Sequence, residues 1–340
     1  MAATQSGIAG MAKTFAIVTP VLDDWVSFAA LVVEISDRFA GSGFAFRIFA
    51  VDDGSVVPFD PASVMLPPGS CVRSLEIIRL AANLGHQRAI AVGLCAIADS
   101  SESDAVVVMD SDGQDRPADL AALLAANVDH PRHVVLARRT KRSESRVFRL
   151  CYGAYKLAFR TLTGHAICFG NYCVLPVAAV RRLVHMPELW NNLAASIIRS
   201  RLEHLTVPTV RGGRSAGESR MNLVSLIVHG LSAMSVHTDM IFIRMLLASG
   251  LVAGMAGLGI LAVSVIRITT DLAIPGWATT AAGDLLIILL QTLVIVVAAS
   301  LTVLAGRSNR PIVPIVDCSC FVAGRDRYRG AAANAVRPAA

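Results

Sequence analysis

Two apolar runs, residues 245–266 and 285–305, carry no Asp, Glu, Lys or Arg. Each is about the 20 residues that an α-helix needs to cross a bilayer core. A bilayer admits only helices and closed barrels, because backbone polar groups find no partners in hydrocarbon. The sequence therefore predicts a two-helix hairpin near its C-terminus, and the flanking charges orient it. Arg244 precedes the first run, Arg307 and Arg310 follow the second, and Arg325, Arg327 and Arg329 lie beyond. The intervening stretch sets Arg267 against Asp271 and Asp284. By the positive-inside rule both ends of the hairpin are cytosolic. The expected layout is a cytosolic domain over residues 1–220, an interfacial amphipathic helix over 221–243, a membrane hairpin over 244–306, and a cytosolic basic tail over 307–340.

The remaining composition agrees with this division. Apolar residues make up 54% of the 340 and mean hydropathy is +0.58, too apolar for an ordinary soluble enzyme, yet the first two thirds carry dispersed charge. Residues 14–21 are apolar but short, contain Pro20 and run into Asp23 and Asp24, so they read as a first strand and not as a secretory signal. The seven cysteines include no C-x-x-C pair, and a cytosolic domain keeps thiols reduced, so neither a zinc site nor a disulfide framework is expected. The net charge of +6 suits a protein lying against an anionic leaflet. No nucleic-acid motif and few aromatic stacking platforms accompany it, so no nucleic-acid partner is expected.

Strand-like runs at residues 15–19, 46–51, 75–80, 105–109 and 133–137 alternate with helical patterns around 26–39, 87–98 and 118–126. That alternation predicts βαβ units and a mostly parallel, Rossmann-like sheet. Acidic residues then fall just after the strands: Asp23 and Asp24 after the first, Asp52 and Asp53 after the second, and Asp110-Ser-Asp112-Gly-Gln114 after the fourth. Open α/β sheets bind ligands beyond the carboxyl ends of their strands, so a nucleotide across this rim is the economical reading. Side chains two apart on extended backbone share a side, which lets Asp110 and Asp112 converge on one hard cation. Carboxylate and amide oxygens suit Mg²⁺ or Mn²⁺, which share their coordination with phosphates and water. An isolated D-x-D is also compatible with a polar turn.

Further on, residues 143–162 read as one helix and 188–202 as another. Arg211-Gly-Gly-Arg214-Ser-Ala-Gly217-Glu-Ser219-Arg220 combines flexible backbone with guanidinium groups, as phosphate recognition requires. The apolar stretch 223–236 follows, with His229 and His237 read as packing residues rather than metal ligands. Gly250 and Gly254 in the first run would allow close helix packing and a homo-oligomer.

Six motifs occur in the order found in the membrane-anchored family 2 glycosyltransferases of the GT-A fold, the group that includes dolichol-phosphate mannose synthases and bacterial polyprenyl-phosphate glycosyltransferases. The chain resembles that group from about Phe15 to Arg244. The motifs are Pro20-Val-Leu-Asp23-Asp24, Val51-Asp52-Asp53-Gly54-Ser55, Asn83-Leu-Gly85-His86-Gln87-Arg-Ala89, Asp110-Ser-Asp112-Gly-Gln114-Asp115, Arg139-Thr-Lys-Arg142, and Arg211-x-x-Arg214-x-x-Gly217-x-Ser219.

The resemblance implies an inverting transferase at the cytosolic face of a bacterial inner membrane, with a UDP- or GDP-linked sugar donor, Mg²⁺ or Mn²⁺, and a polyprenyl-phosphate acceptor. It implies that Asp112 and Gln114 hold the metal with Asp110 beside them, and that Pro20, Asp24, Asp52, Asp53, Asn83, Gln87 and Ser219 shape the nucleotide site. Arg139, Arg142, Arg211 and Arg214 would receive acceptor phosphate or donor diphosphate. The chain departs from the pattern in two places. Many relatives carry Gly-Asp-Phe-Arg where this chain has Gly170-Asn171-Tyr172-Cys173, and Arg116 replaces a proline common before Pro117. An amide takes no proton at neutral pH, but a phosphate acceptor is already anionic and attacks without a base. A hydroxyl acceptor, or a non-catalytic nucleotide-sugar-binding scaffold, is the alternative that Asn171 leaves open.

Overall fold

The computed structural model describes residues 13–98, 102–139, 146–165, 169–213, 230–270 and 276–329. The chain forms two units, one from residues 1–150, 167–236 and 312–340, the other from 151–166 and 237–311.

The first unit is built on one sheet. Its strands are β1 (Lys13–Val21), β2 (Phe44–Asp52), β3 (Val72–Leu80), β4 (Ala105–Val108), β5 (Val134–Arg139), β6 (Cys173–Pro176), β7 (His204–Thr209) and β8 (Val322–Arg329). The spatial order is β7-β5-β6-β4-β1-β2-β3-β8. β1 pairs parallel with β2 and β4, β2 with β3, and β5 with β7, whereas β6 and β8 are antiparallel to their neighbours. Helices α1 (Trp25–Arg38), α2 (His86–Ala98), α3 (Pro117–Asp129), α5 (Val177–Leu183) and α6 (Leu193–Arg199) accompany the sheet, and α4 (Arg146–Thr163) runs from this unit into the second.

Both faces of the central strands are covered, which is why β1 reads as continuously apolar from Phe15 to Val18. Successive side chains point to opposite faces. Val18, Val51 and Val108 join a core with Ile90 and Leu94 of α2 and Val180 of α5. Ile17, Ile48 and Val107 join a second core with Phe28 of α1 and Leu120 and Leu124 of α3. The expected α/β architecture, a mostly parallel Rossmann-like sheet followed by two long apolar helices, is what the chain adopts.

Two local expectations are corrected. Residues 188–202 do not form one helix: a 3-10 turn, Pro187–Trp190, is followed by α6, and Asn192 between them accepts a hydrogen bond from Ala195 N at 2.9 Å. Asn competes with helical backbone inside a helix and satisfies it at an N-terminus, so it starts a new helix here. Of residues 307–340, expected as a basic tail, 314–329 join the first unit, and 330–340 lie outside the described residues. Pro314–Asp317 and Cys318–Phe321 form helical turns, and β8 then adds to the sheet against β3, with Tyr328 opposite Leu75 and Arg325 opposite Ile78. Glu76 on β3 accepts from Nε and Nη2 of Arg327, both at 3.1 Å, and Arg79 pairs with Asp326 at 2.9 Å. The buried Cys318 thiol donates to Cys95 Sγ of α2 at 3.1 Å.

The second unit contains two helices of 32 residues, Thr238–Thr269 and Trp277–Ser308, each long and apolar enough to cross a membrane. They pack together, and a Cβ at Gly259 would lie 2.9 Å from Leu285 Cδ1, so a small residue permits that approach. The first helix starts seven residues before the apolar run. In that stretch Arg244 donates to the carbonyls of Arg160 and Thr161 in the last turn of α4. His237 lies between the rings of Phe159 and His165, at 5.9 and 5.3 Å. Of the interfacial helix expected over 221–243, residues 221–229, including His229, lie outside the described residues, and 238–243 belong to the first long helix.

Candidate active site

Chain order reverses at β1, which has β2 on one side and β4 on the other. A sheet that reverses in this way opens a crevice beyond the carboxyl ends of the two strands. Pro20 lies at the end of β1 and Asp110 to Gln114 follow β4. Because β6 is antiparallel, its amino end, with Cys173 opposite Val108 and Leu136, brings Asn171 to the same rim. Arg139 and Thr209 are paired at the ends of β5 and β7, and Arg211 follows two residues later. Asn83 to Gln87 follow β3. The topology thus collects motifs that are scattered along nearly 200 residues of sequence.

The turn after β4 is tied down on every side. Asp110 N donates to Asp115 Oδ2 at 3.0 Å, Ser111 Oγ to the Pro20 carbonyl at 3.2 Å, and Gln114 N to Asp112 Oδ1 at 3.0 Å. Gly113 has φ of 84°, a left-handed conformation that a side chain would strain. Asp110, Asp112 and Gln114 are half-buried, while Asp115 beneath them is 2% exposed and accepts from Arg139 Nη2 at 2.9 Å. Burial, then the neighbouring Asp110 carboxylate, pushes the Asp115 carboxyl up to about 7, and Arg139 opposes the rise. His86, the first residue of α2, bridges this turn to the segment that leads into β6: its Nε2 is 3.4 Å from Asp110 Oδ1 and 3.0 Å from Asn171 Nδ2.

Other residues expected at the nucleotide have partners within the fold. Asp24 caps α1 by accepting from Ser27 N. Asp52 accepts from Ser55 N at 2.8 Å. Asp53, 4% exposed, accepts from the Leu84 and Gly85 amides, at 2.7 Å and at 3.0 to 3.2 Å, and so joins the loop after β2 to the loop after β3. Burial raises the Asp53 carboxyl above its usual range while those two amides pull it down. Asn83 is exposed on the rim. Gln87 Oε1 accepts from Leu193 N at 2.9 Å, at the start of α6. Arg139 is engaged by Asp115, as above. Arg211 donates to Gln114 Oε1 through Nε at 2.9 Å and again through Nη2. Arg142, Arg214 and Ser219 lie outside the described residues.

Among the described residues, no group of three or more His, Cys, Asp and Glu side chains forms a ready-made metal cage. The oxygens of Asp110, Asp112 and Gln114 are nevertheless a hard-donor set. Such oxygens suit a hard divalent cation such as Mg²⁺ or Mn²⁺, a class of ion that commonly completes its coordination with phosphates and water.

Three residues at this site were not singled out from sequence. Asp115 appeared as part of a motif, with nothing to show that it would be the buried support of the turn. His86 lies inside the N-x-G-x-x-x-A element, and the missing acid at Asn171 was the available hint that a second group stands there. Gly212 brings its backbone against the turn, where a Cβ would collide with the Gly113 carbonyl oxygen.

No family model matches this chain. Over 271 residues it is 23% identical to YkcC of Bacillus subtilis (strain 168), an uncharacterized glycosyltransferase, covering 78% of this chain and 81% of that one. Among solved structures, mannosyl-3-phosphoglycerate synthase from Rubrobacter xylanophilus aligns with a TM-score of 0.46 at 16% identity, over 66% of this chain and 72% of that one. Glucosyl-3-phosphoglycerate synthase from Mycobacterium tuberculosis, in complex with Mn²⁺ and UDP-glucose, aligns with a TM-score of 0.43 at 14% identity, over 67% and 79%.

Proposed function

We propose that this protein is an inverting, metal-dependent glycosyltransferase that moves a sugar from a nucleotide-sugar donor to a polyprenyl phosphate at the cytosolic face of a bacterial inner membrane. The observation that carries the reading is the convergence of Asp110, Asp112, Gln114, Asn171, Arg139 and Arg211 on one rim at the switch point of the sheet. The 23% likeness to a protein described as a glycosyltransferase supports it.

Asp112 and Gln114, with Asp110 beside them, would hold the divalent ion, which supplies charge stabilisation for the departing nucleoside diphosphate. Asp115 and Arg139 keep those three at a fixed spacing beneath the rim. Arg211 brings a guanidinium group to the same place, and such a group pairs bidentately with phosphate oxygens. Asn171 offers the acceptor an amide that donates or accepts hydrogen bonds and leaves its proton inventory unchanged. Two helices able to span a bilayer would keep the domain at the surface where a prenyl tail resides.

One observation favours a second reading. The imidazole of His86 stands 3.0 Å from Asn171 and is able to accept a proton, a service that a hydroxyl acceptor requires and a phosphate does not. Offering purified protein the same donor with undecaprenyl phosphate or with undecaprenol separates the two. Product from the phosphate alone upholds the proposal, and product from the alcohol alone replaces it with the second reading.

A further inference from the structure

Gln114 is both the expected amide ligand of the cation and the group that Arg211 grips. An amide oxygen has two lone pairs, and Arg211 directs two N–H groups at this one. A cation on the same oxygen would sit about 2.1 Å from it, within a few ångströms of a guanidinium, and two positive groups that close repel strongly. The arrangement is set up by the backbone. Val210 N donates to Asp119 Oδ2 at 3.2 Å and Gly212 N to the Gln114 carbonyl at 2.9 Å, so of the residues on either side of Arg211 one is tied to α3 and the other to the turn. Gly212 can come this near because it has no Cβ to strike Gly113 and the Arg116 side chain.

We infer that Arg211 and the divalent cation compete for the Gln114 amide oxygen, which makes Arg211 a latch that occupies this oxygen until the cation takes its place. Resting on the proposed reading of Gln114 as a cation ligand, the latch gives the site an order of events. The cation displaces the guanidinium, and the released guanidinium is then positioned to pair with the donor diphosphate that arrives with the metal. Arg211 therefore opposes binding of the bare cation and favours binding of the cation together with a nucleoside diphosphate. By reciprocity, the nucleotide strengthens cation binding more in wild type than in a variant without the guanidinium.

The test is Mn²⁺ binding to the full-length protein in detergent, followed by the electron paramagnetic resonance signal of free Mn²⁺, with and without UDP or GDP. Arg211→Ala is expected to bind Mn²⁺ alone about tenfold more tightly than wild type, and to show a smaller gain on adding nucleotide. Arg211→Lys, which keeps the charge but donates through one point, is expected to fall between them. Arg211 is exposed, so truncation does not open the core. Equal or weaker Mn²⁺ binding by Arg211→Ala, while Asp112→Ala removes binding, overturns the latch and leaves the metal site standing. Undiminished binding in Asp112→Ala overturns the metal reading itself, a different failure.

Discussion

Asp112 accepts from the Gln114 backbone N–H through one carboxylate oxygen, and the turn is held independently by Asp115 and Ser111, so the role of Asp112 at the rim is separable from the fold. Asp112→Ala is accordingly expected to lose about 10²–10³-fold or more in transfer rate while the protein folds and inserts normally. Near-normal transfer would remove the metal role from this residue. Asn171→Asp is the complementary change. It places a carboxylate near Asp110 and His86, and with a phosphate acceptor, which needs no base, activity should persist within about tenfold. Total loss would count against Asn171 at the acceptor side. At this scale the sequence revealed which residues gather and not what they hold. The position of Asp110, Asp112 and Asn171 at the rim was legible because each sits in a local motif beside a strand end. The Arg211–Gln114 contact joins residues 97 apart, and the capping duty of Asp24 depends on where α1 begins. Neither follows from spacing.

β8 is the element that changes the picture most. It carries Arg325, Asp326, Arg327 and Arg329 in eight residues, which reads as a solvated tail, yet that polarity is also what an edge strand carries to avoid pairing further. The central strands were legible because burial on both faces leaves continuous apolar runs. β6 has four residues and β7 contains Pro208, so both gave too little pattern to register. Arg327 is half-exposed, but its partner Glu76 is 8% exposed, so deleting the guanidinium leaves a carboxylate with poor access to water. Arg327→Ala is expected to cost about 1–2 kcal/mol, or roughly 2–6 °C in the thermal midpoint of the first unit. An unchanged midpoint would show that the Arg327–Glu76 pair adds nothing to the stability of the sheet.

For the whole molecule, connectivity restricts topology. β3 precedes both long helices and β8 follows them, yet the two strands share one ladder. Two helices that cross a membrane between them must therefore return the chain to the side it left, as the arginine flanks also require. Cys320, exposed in the segment that leads into β8, and a cysteine placed at Gly276 between the helices report opposite sides. In intact spheroplasts an impermeant maleimide should label Gly276→Cys and spare Cys320 until the membrane is opened, as read by peptide mass spectrometry. Labelling of both from outside would contradict the hairpin.

Sugar transfer to a lipid phosphate at the Asp110–Gln114 turn is tested most directly by transfer from a panel of radiolabelled nucleotide sugars by purified protein, with Mg²⁺, Mn²⁺ or chelator and with or without undecaprenyl phosphate, counting label in the organic phase. Label that requires both the cation and the lipid phosphate is the predicted result. Transfer that persists in chelator, or no organic-phase label from any donor despite cation-dependent nucleotide binding, would contradict it.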